Sequence, residues 1–257
     1  MEFKSKNPFL GSKSYSKNTA GSAYDANGMQ IIDYNTTMTV SGTINKTFIL
    51  FGLLLLGAVV PFYMALTGIN PMMPGIVSLF IALGMVIACT VSPKNARYLA
   101  PAYALFEGVF IGAISLFFEA MYPGIVLQGV AGTMVTFAIC LALYRFGVVK
   151  VTEQFRSIVI SATLAVGTFY LISALFYWIG GVQFFHLGNS GVSIGFSVLV
   201  IVIAAMNLIL DFDMIEKGVA QRAPKYMEWF AGMGLIITLV WLYLEFLRLL
   251  SKLQSRN

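Results

Sequence analysis

The stretch "NLILDFDMIEKG", residues 207–218, sets Asp211, Asp213 and Glu216 directly after a long uncharged run. Further on, "WLYLEFLRLL", residues 241–250, places Glu245 well inside an apolar segment, and "ALFEGVFIG", residues 104–112, does the same for Glu107. Acids in such places are costly. At the C-terminal end of a helix each exposed acidic charge faces the negative pole of the macrodipole, at roughly 0.3–1 kcal/mol. At mid-bilayer a charge costs about 2.5–3.5 kcal/mol on insertion scales, so a group kept there pairs, protonates or binds an ion.

The elements that must position these acids follow from composition. The chain is 58% hydrophobic and 11% charged, against about 25% charged in soluble domains. Apolar runs of bilayer-spanning length, ~20 residues, recur along almost all of it after residue 46. The expectation is an all-α integral membrane protein, a bundle of seven transmembrane helices at about 47–66, 74–92, 98–120, 125–146, 156–179, 191–212 and 229–253. Continuous apolar runs argue against a barrel, whose strands show ~10-residue segments of alternating polarity. Residues 1–46, rich in Ser, Asn, Lys and Gly and without the apolar stretch of a secretory signal, are expected to be a flexible cytoplasmic tail, and residues 47–257 the transmembrane domain. The first span then acts as an uncleaved signal anchor.

Orientation follows from the basic residues. Lys4, Lys6, Lys13, Lys17 and Lys46 precede span one, Lys94 and Arg97 follow span two, Arg145, Lys150 and Arg156 lie between spans four and five, and Lys217, Arg222 and Lys225 between six and seven. The connections 67–73, 121–124 and 180–190 have none. The positive-inside rule puts the N-terminus in the cytoplasm and, with seven spans, the C-terminus outside. Arg248, Lys252 and Arg256 run against this rule and leave open a last helix that re-enters instead of spanning. Cytoplasmic loops account for the net charge of +5, which calls for no nucleic-acid partner. Cys89 and Cys140 lack metal-type spacing and read as packing residues. His186, the single histidine, is an ordinary loop residue or a pH sensor.

Two readings stand for each acid. Asp213 and Glu216 are a solvated helix end with Lys217 as neighbour, or the mouth of an ion path. Glu107, about 14 Å into span three at 1.5 Å per residue, is a protonated structural carboxyl or part of that path, and Gly108 and Gly112 beside it form a small-xxx-small face for close helix approach. Glu245 is neutralised by Arg248 one turn later, or is functional. The approach of Asp211 to Glu245 depends on the tilt of span six, which sequence does not fix.

The segments "LILDFDMIEKG" and "WLYLEFLRLLSKL", with "AYALFEGVFIGAISLFFEAMYPGIV", the lead-in "TVSGTINKT" and the N-terminal "NPFL", resemble the Bax inhibitor-1 family of transmembrane proteins in its bacterial branch. The resemblance covers nearly the whole membrane region. It implies that Asp211 and Glu245 form the family's intramembrane carboxylate pair, a pH-sensitive latch over a calcium-conducting path, with Glu in place of the usual Asp on helix seven. It also implies residence in a bacterial cytoplasmic membrane. Helix two, "GIVSLFIALGMVIACTV", lacks the family's charged residues, so no gate partner carries over there.

Two carboxylates within a few ångströms at low dielectric share one proton, and its loss breaks the bridge. Ca²⁺ prefers several oxygen ligands, which Asp211 and Glu245 with backbone carbonyls would offer transiently; Asp213, Glu107 and Glu216 would line the path. No tightly bound cofactor is expected. The function expected is a pH-responsive cation (Ca²⁺) leak channel or exchanger, with lipid, Ca²⁺ and H⁺ as partners. The alternative is a regulatory membrane protein that modulates a membrane protease or a stress or cell-death pathway by contact. An enzyme is not expected, because "LILDFD" lacks the Gly-x-Gly-Asp context of intramembrane aspartyl proteases and no membrane-embedded His accompanies a Ser. The topology is checked with single cysteines at Ser14 and Asn189 in a background without Cys89 and Cys140. An impermeant thiol reagent applied to intact cells should label position 189 and spare position 14; the reverse pattern would overturn the orientation.

Overall fold

The computed structural model describes residues 37–181, 184, 186 and 188–256, so most of the expected tail, residues 1–36, lies outside the described residues. Among the described residues seven helices are long and apolar enough to cross a bilayer, and no strand is formed. They are α1 (Val40–Leu66), α2 (Met72–Val91), α3 (Ala96–Met121), α4 (Ile125–Arg145), α5 (Glu153–Gly180), α6 (Gly191–Ala220) and α7 (Met227–Gln254), with a 3-10 turn at Pro93–Asn95 ahead of α3.

Every expected span is a helix, but several helices run past the apolar stretch that announced them. α1 begins at Val40, so residues 40–46, assigned to the tail by composition, are helical, and α6 continues beyond residue 212 to Ala220. Apolarity marks the hydrocarbon; capping decides where the helix ends. Thr39 caps α1 by accepting from the Gly42 N–H (3.0 Å), and Thr152 and Ser190 do the same for α5 and α6. Gly181, at φ +64°, closes α5 in the left-handed conformation that favours glycine.

The most buried helix is α7, which packs against α1, α3, α4 and α6. Its 28 residues span ~42 Å at 1.5 Å per residue, enough to cross a ~30 Å hydrocarbon core. By length it is a full span and not a re-entrant segment. The core around it joins Leu50 and Leu54 of α1, Tyr103 and Ile111 of α3, and Ile236, Val240 and Leu247 of α7. α5 is the peripheral helix and packs chiefly on α6, through Val166, Val200 and Ile203.

The closest approach is between α1 and α3, where the small-residue face foreseen at Gly108 and Gly112 meets Gly57 and Ala58. A Cβ at Gly108 would run into the Leu54 carbonyl oxygen and lie 3.0 Å from the Gly57 Cα; one at Gly112 would lie 2.9 Å from the Ala58 Cα. Gly52, on the same α1, faces open space. Gly108→Ala should therefore destabilise the bundle by about 1–3 kcal/mol or more, while Gly52→Ala should be neutral or slightly stabilising through helix propensity. Thermal unfolding of both variants in detergent checks this contrast; equal effects would contradict the packing.

Candidate functional site

The Lys/Arg-bearing connections share one end of the bundle, called here the basic end. There the start of α1 is bound to the start of α7: Glu228, fully buried, accepts from the Thr39 N–H and hydroxyl (both 2.9 Å), pairs with Lys225 (2.9 Å) and pairs with Lys46. Gly42 has no side chain because a Cβ would lie on that carboxylate. The acids of "DFDMIE" lie within α6, which runs on to Ala220, so they avoid the terminal carbonyls that their position at the end of the apolar run suggested. Asp213 is buried and paired with Arg156 of α5 (2.7 Å) and Lys217 (2.8 Å). Glu216 is exposed and accepts from the Tyr144 hydroxyl of α4. Both have partners of their own, Asp213 in the interior and Glu216 at the surface.

Asp211 differs. Its Oδ2 is buried without a hydrogen-bond partner, and no basic side chain pairs with it among the described residues. The Thr238 hydroxyl of α7 lies beside the carboxyl, and a Cβ at Gly234 would stand 4.0 Å from Oδ1. One turn earlier on α6 the Asn207 amide donates to Thr163 Oγ1 of α5 (2.7 Å) and to the Ile203 carbonyl (2.9 Å).

Glu245 is 1% exposed. It accepts from Arg248 Nη1 (2.5 Å) and from the Tyr170 hydroxyl of α5 (3.1 Å), while the Arg248 guanidinium lies over the Tyr170 ring, 4.7 Å from its centroid. The structure does not bring Asp211 and Glu245 together. Asp211 faces α7 at Gly234 and Thr238, and Thr238 is seven residues before Glu245, roughly 10 Å along the helix. The expected carboxylate pair is instead two separate carboxyls at different depths, because Asp211 is nine residues before the end of α6 whereas Glu245 is eighteen after the start of α7. Among the described residues no three His, Cys, Asp or Glu side chains gather as they would to hold a metal ion. Glu107 is buried on α3 near Tyr103, with no hydrogen bond or ion pair to it among the described residues.

Two stripes of residues seven apart organise these contacts. Thr238, Glu245 and Lys252 run along α7; Arg156, Thr163 and Tyr170 run along α5 and reach Asp213, Asn207 and Glu245 in turn. The stripes bound a polar seam among α5, α6 and α7. At the far end Lys252, 6% exposed, donates to the Ser193 carbonyl (3.2 Å) and Ser197 Oγ (2.7 Å) of α6. Two of the three basic residues that ran against the positive-inside rule are thereby tied to partners within the bundle. Sequence reasoning missed Tyr170, Lys252, Asn207 and Thr163; the seven-residue spacing of polar positions in otherwise apolar helices was the available signal. Cys89 and Cys140 are buried packing residues, as expected.

His186 is not an ordinary exposed loop residue. It is buried against the rings of Phe169 (5.1 Å), Tyr170 (5.4 Å) and Phe196 (6.3 Å). Fold and seam together define an integral membrane protein, a seven-helix bundle with ionisable groups inside it. The family model described as "Bax inhibitor 1 like" matches residues 7–255, nearly the whole chain, and the chain belongs to that family. Searches of curated proteins and of solved structures return no match.

His186 supplies a pH test. Burial first, and then the charges of Arg248 and Lys252, hold its imidazole below the ordinary histidine value. The unfolded chain therefore binds the proton more readily, so the stability contribution is full above about pH 6.5 and is lost as the pH falls through the folded value. Thermal unfolding followed from about pH 7.5 down to 5 should show a loss that is smaller in His186→Gln. The same loss in both proteins would place the titration elsewhere.

Proposed function

We propose that this chain is a pH-responsive pathway for cations, Ca²⁺ among them, running along the α5–α6–α7 seam. The observation that carries the reading is Asp211, half-buried, whose carboxyl has one buried oxygen without a hydrogen-bond partner and no basic side chain paired with it among the described residues. Such a group is neutralised by a proton or by a passing cation, and the competition between the two makes flux depend on pH. Asn207, Thr163 and Thr238 offer polar atoms along the way. Ca²⁺ takes six to eight oxygens in a tight site; single carboxyls at separate levels bind weakly, as conduction requires. By the Lys/Arg pattern the basic end faces the cytoplasm, and the resemblance to bacterial members favours the bacterial cytoplasmic membrane.

The test uses Asp211→Asn, Glu245→Gln and the double variant in liposomes, with Ca²⁺ flux followed over roughly pH 5 to 8, where buried carboxyls can titrate. Asp211→Asn should flatten the pH response and Glu245→Gln should change mainly the amplitude. Because the two groups meet α7 at levels roughly 10 Å apart along its axis and share no partner, their effects should add in the double variant. A pH response that survives Asp211→Asn removes Asp211 from the mechanism.

A further inference from the structure

The outer half of the seam contains a cation where the proposed path needs an open carboxylate. Glu245 is 1% exposed and Arg248 covers it, with 35% of the arginine side chain open to the outside. The guanidinium has two attractive surfaces at once, the carboxylate at 2.5 Å and the face of the Tyr170 ring at 4.7 Å. The Tyr170 hydroxyl is itself turned to the carboxylate, at 3.1 Å from one oxygen and 3.3 Å from the other. A buried carboxylate flanked by an aromatic face is the chemistry of a site for a flat, weakly hydrated cation.

We infer that Arg248 is a tethered blocker, its guanidinium occupying a cation subsite made by Glu245 and Tyr170 and closing the outer half of the seam. The inference rests on the cation-path reading and adds to it the identity of the closed-state occupant. The other charged or titratable groups nearby are Lys252, one turn beyond Arg248 on α7, and His186, whose ring lies tilted against Tyr170 from the α5–α6 connection. Lys252 is not a substitute plug, because its ammonium is tied to the Ser193 carbonyl and the Ser197 hydroxyl. A hydrated Ca²⁺ does not fit beside the guanidinium: the subsite offers it only the two Glu245 oxygens and one phenol oxygen, and like charges repel at this distance. Passage therefore requires Arg248 to swing outward. That is a local change, because the arginine is already part-exposed and its partner lies only three residues away on the same helix.

The test is chemical replacement of the plug. Arg248→Ala, with Arg248→Gln as a second variant that keeps more of the stem should the first not fold, is compared with the wild type for Ca²⁺ flux in liposomes. Flux should rise about tenfold or more, a fraction of what disrupting a buried ion pair is worth. Millimolar methylguanidinium should return it toward the wild-type level, and tetraethylammonium, which has no N–H donors, should not. The combined Arg248→Ala, Glu245→Gln variant should be insensitive to methylguanidinium. As a readout independent of flux, methylguanidinium should raise the unfolding temperature of Arg248→Ala and not that of the combined variant. If Arg248→Ala conducts like the wild type and ignores methylguanidinium while Asp211→Asn still flattens the pH response, the blocker is refuted and the cation path stands. If no protein conducts, the path is lost, and the unfolding shift alone decides whether Glu245 and Tyr170 form a cation subsite.

Discussion

A central transmembrane helix that carries polar groups must have them answered by its neighbours, since each unsatisfied group in hydrocarbon costs several kcal/mol. α7 is that helix. Glu228, Thr238, Glu245 and Lys252 occur along it at successive depths, and the partners of three of them define how the surrounding helices sit. Glu228 fixes the start of α1, Glu245 holds α5 through Tyr170, and Lys252 holds the start of α6 through Ser193 and Ser197. The fourth level, at Thr238, meets Asp211, where satisfaction is incomplete.

This incompleteness separates the acids into two kinds. Glu228, Asp213, Glu216 and Glu245 each have a basic or hydroxyl partner that explains their presence structurally. Asp211 and Glu107 have no basic partner among the described residues, and on the proposed reading they are the carboxyls that would exchange a proton or a cation. The two groups of helices are also held differently. α1 and α3 are locked by glycine-mediated backbone contact, whereas α5 depends on links at Arg156, Thr163 and Tyr170. Polar links within a membrane are individually worth only about 0.6–2 kcal/mol, so each of the links that hold α5 to the seam is weak.

Much of this was legible in the sequence. Long apolar runs announce membrane helices whatever surrounds them, and the Gly108 and Gly112 face foretold a close helix approach, though not that its partner is α1. The depth of Glu245, the neutralising reach of Arg248 and the packing role of the cysteines also follow from local spacing. The helix ends did not: Thr39 caps α1 upstream of its apolar run, and a cap is visible only once the chain is folded. Nor did the separation of Asp211 from Glu245, since two acids on consecutive helices meet or miss according to how far one helix slides along the other. That offset is a tertiary quantity set by the hairpin 221–226 and by packing on both sides. The partners of Lys252 depend on the same offset.

The central claim is that the bundle itself carries cations along a seam controlled by Asp211. Its most direct test is Ca²⁺ flux in liposomes containing only the purified wild-type protein, measured at several pH values against protein-free liposomes. The account predicts flux above the protein-free background with a rate that changes with pH. Flux indistinguishable from protein-free liposomes at every pH would contradict it.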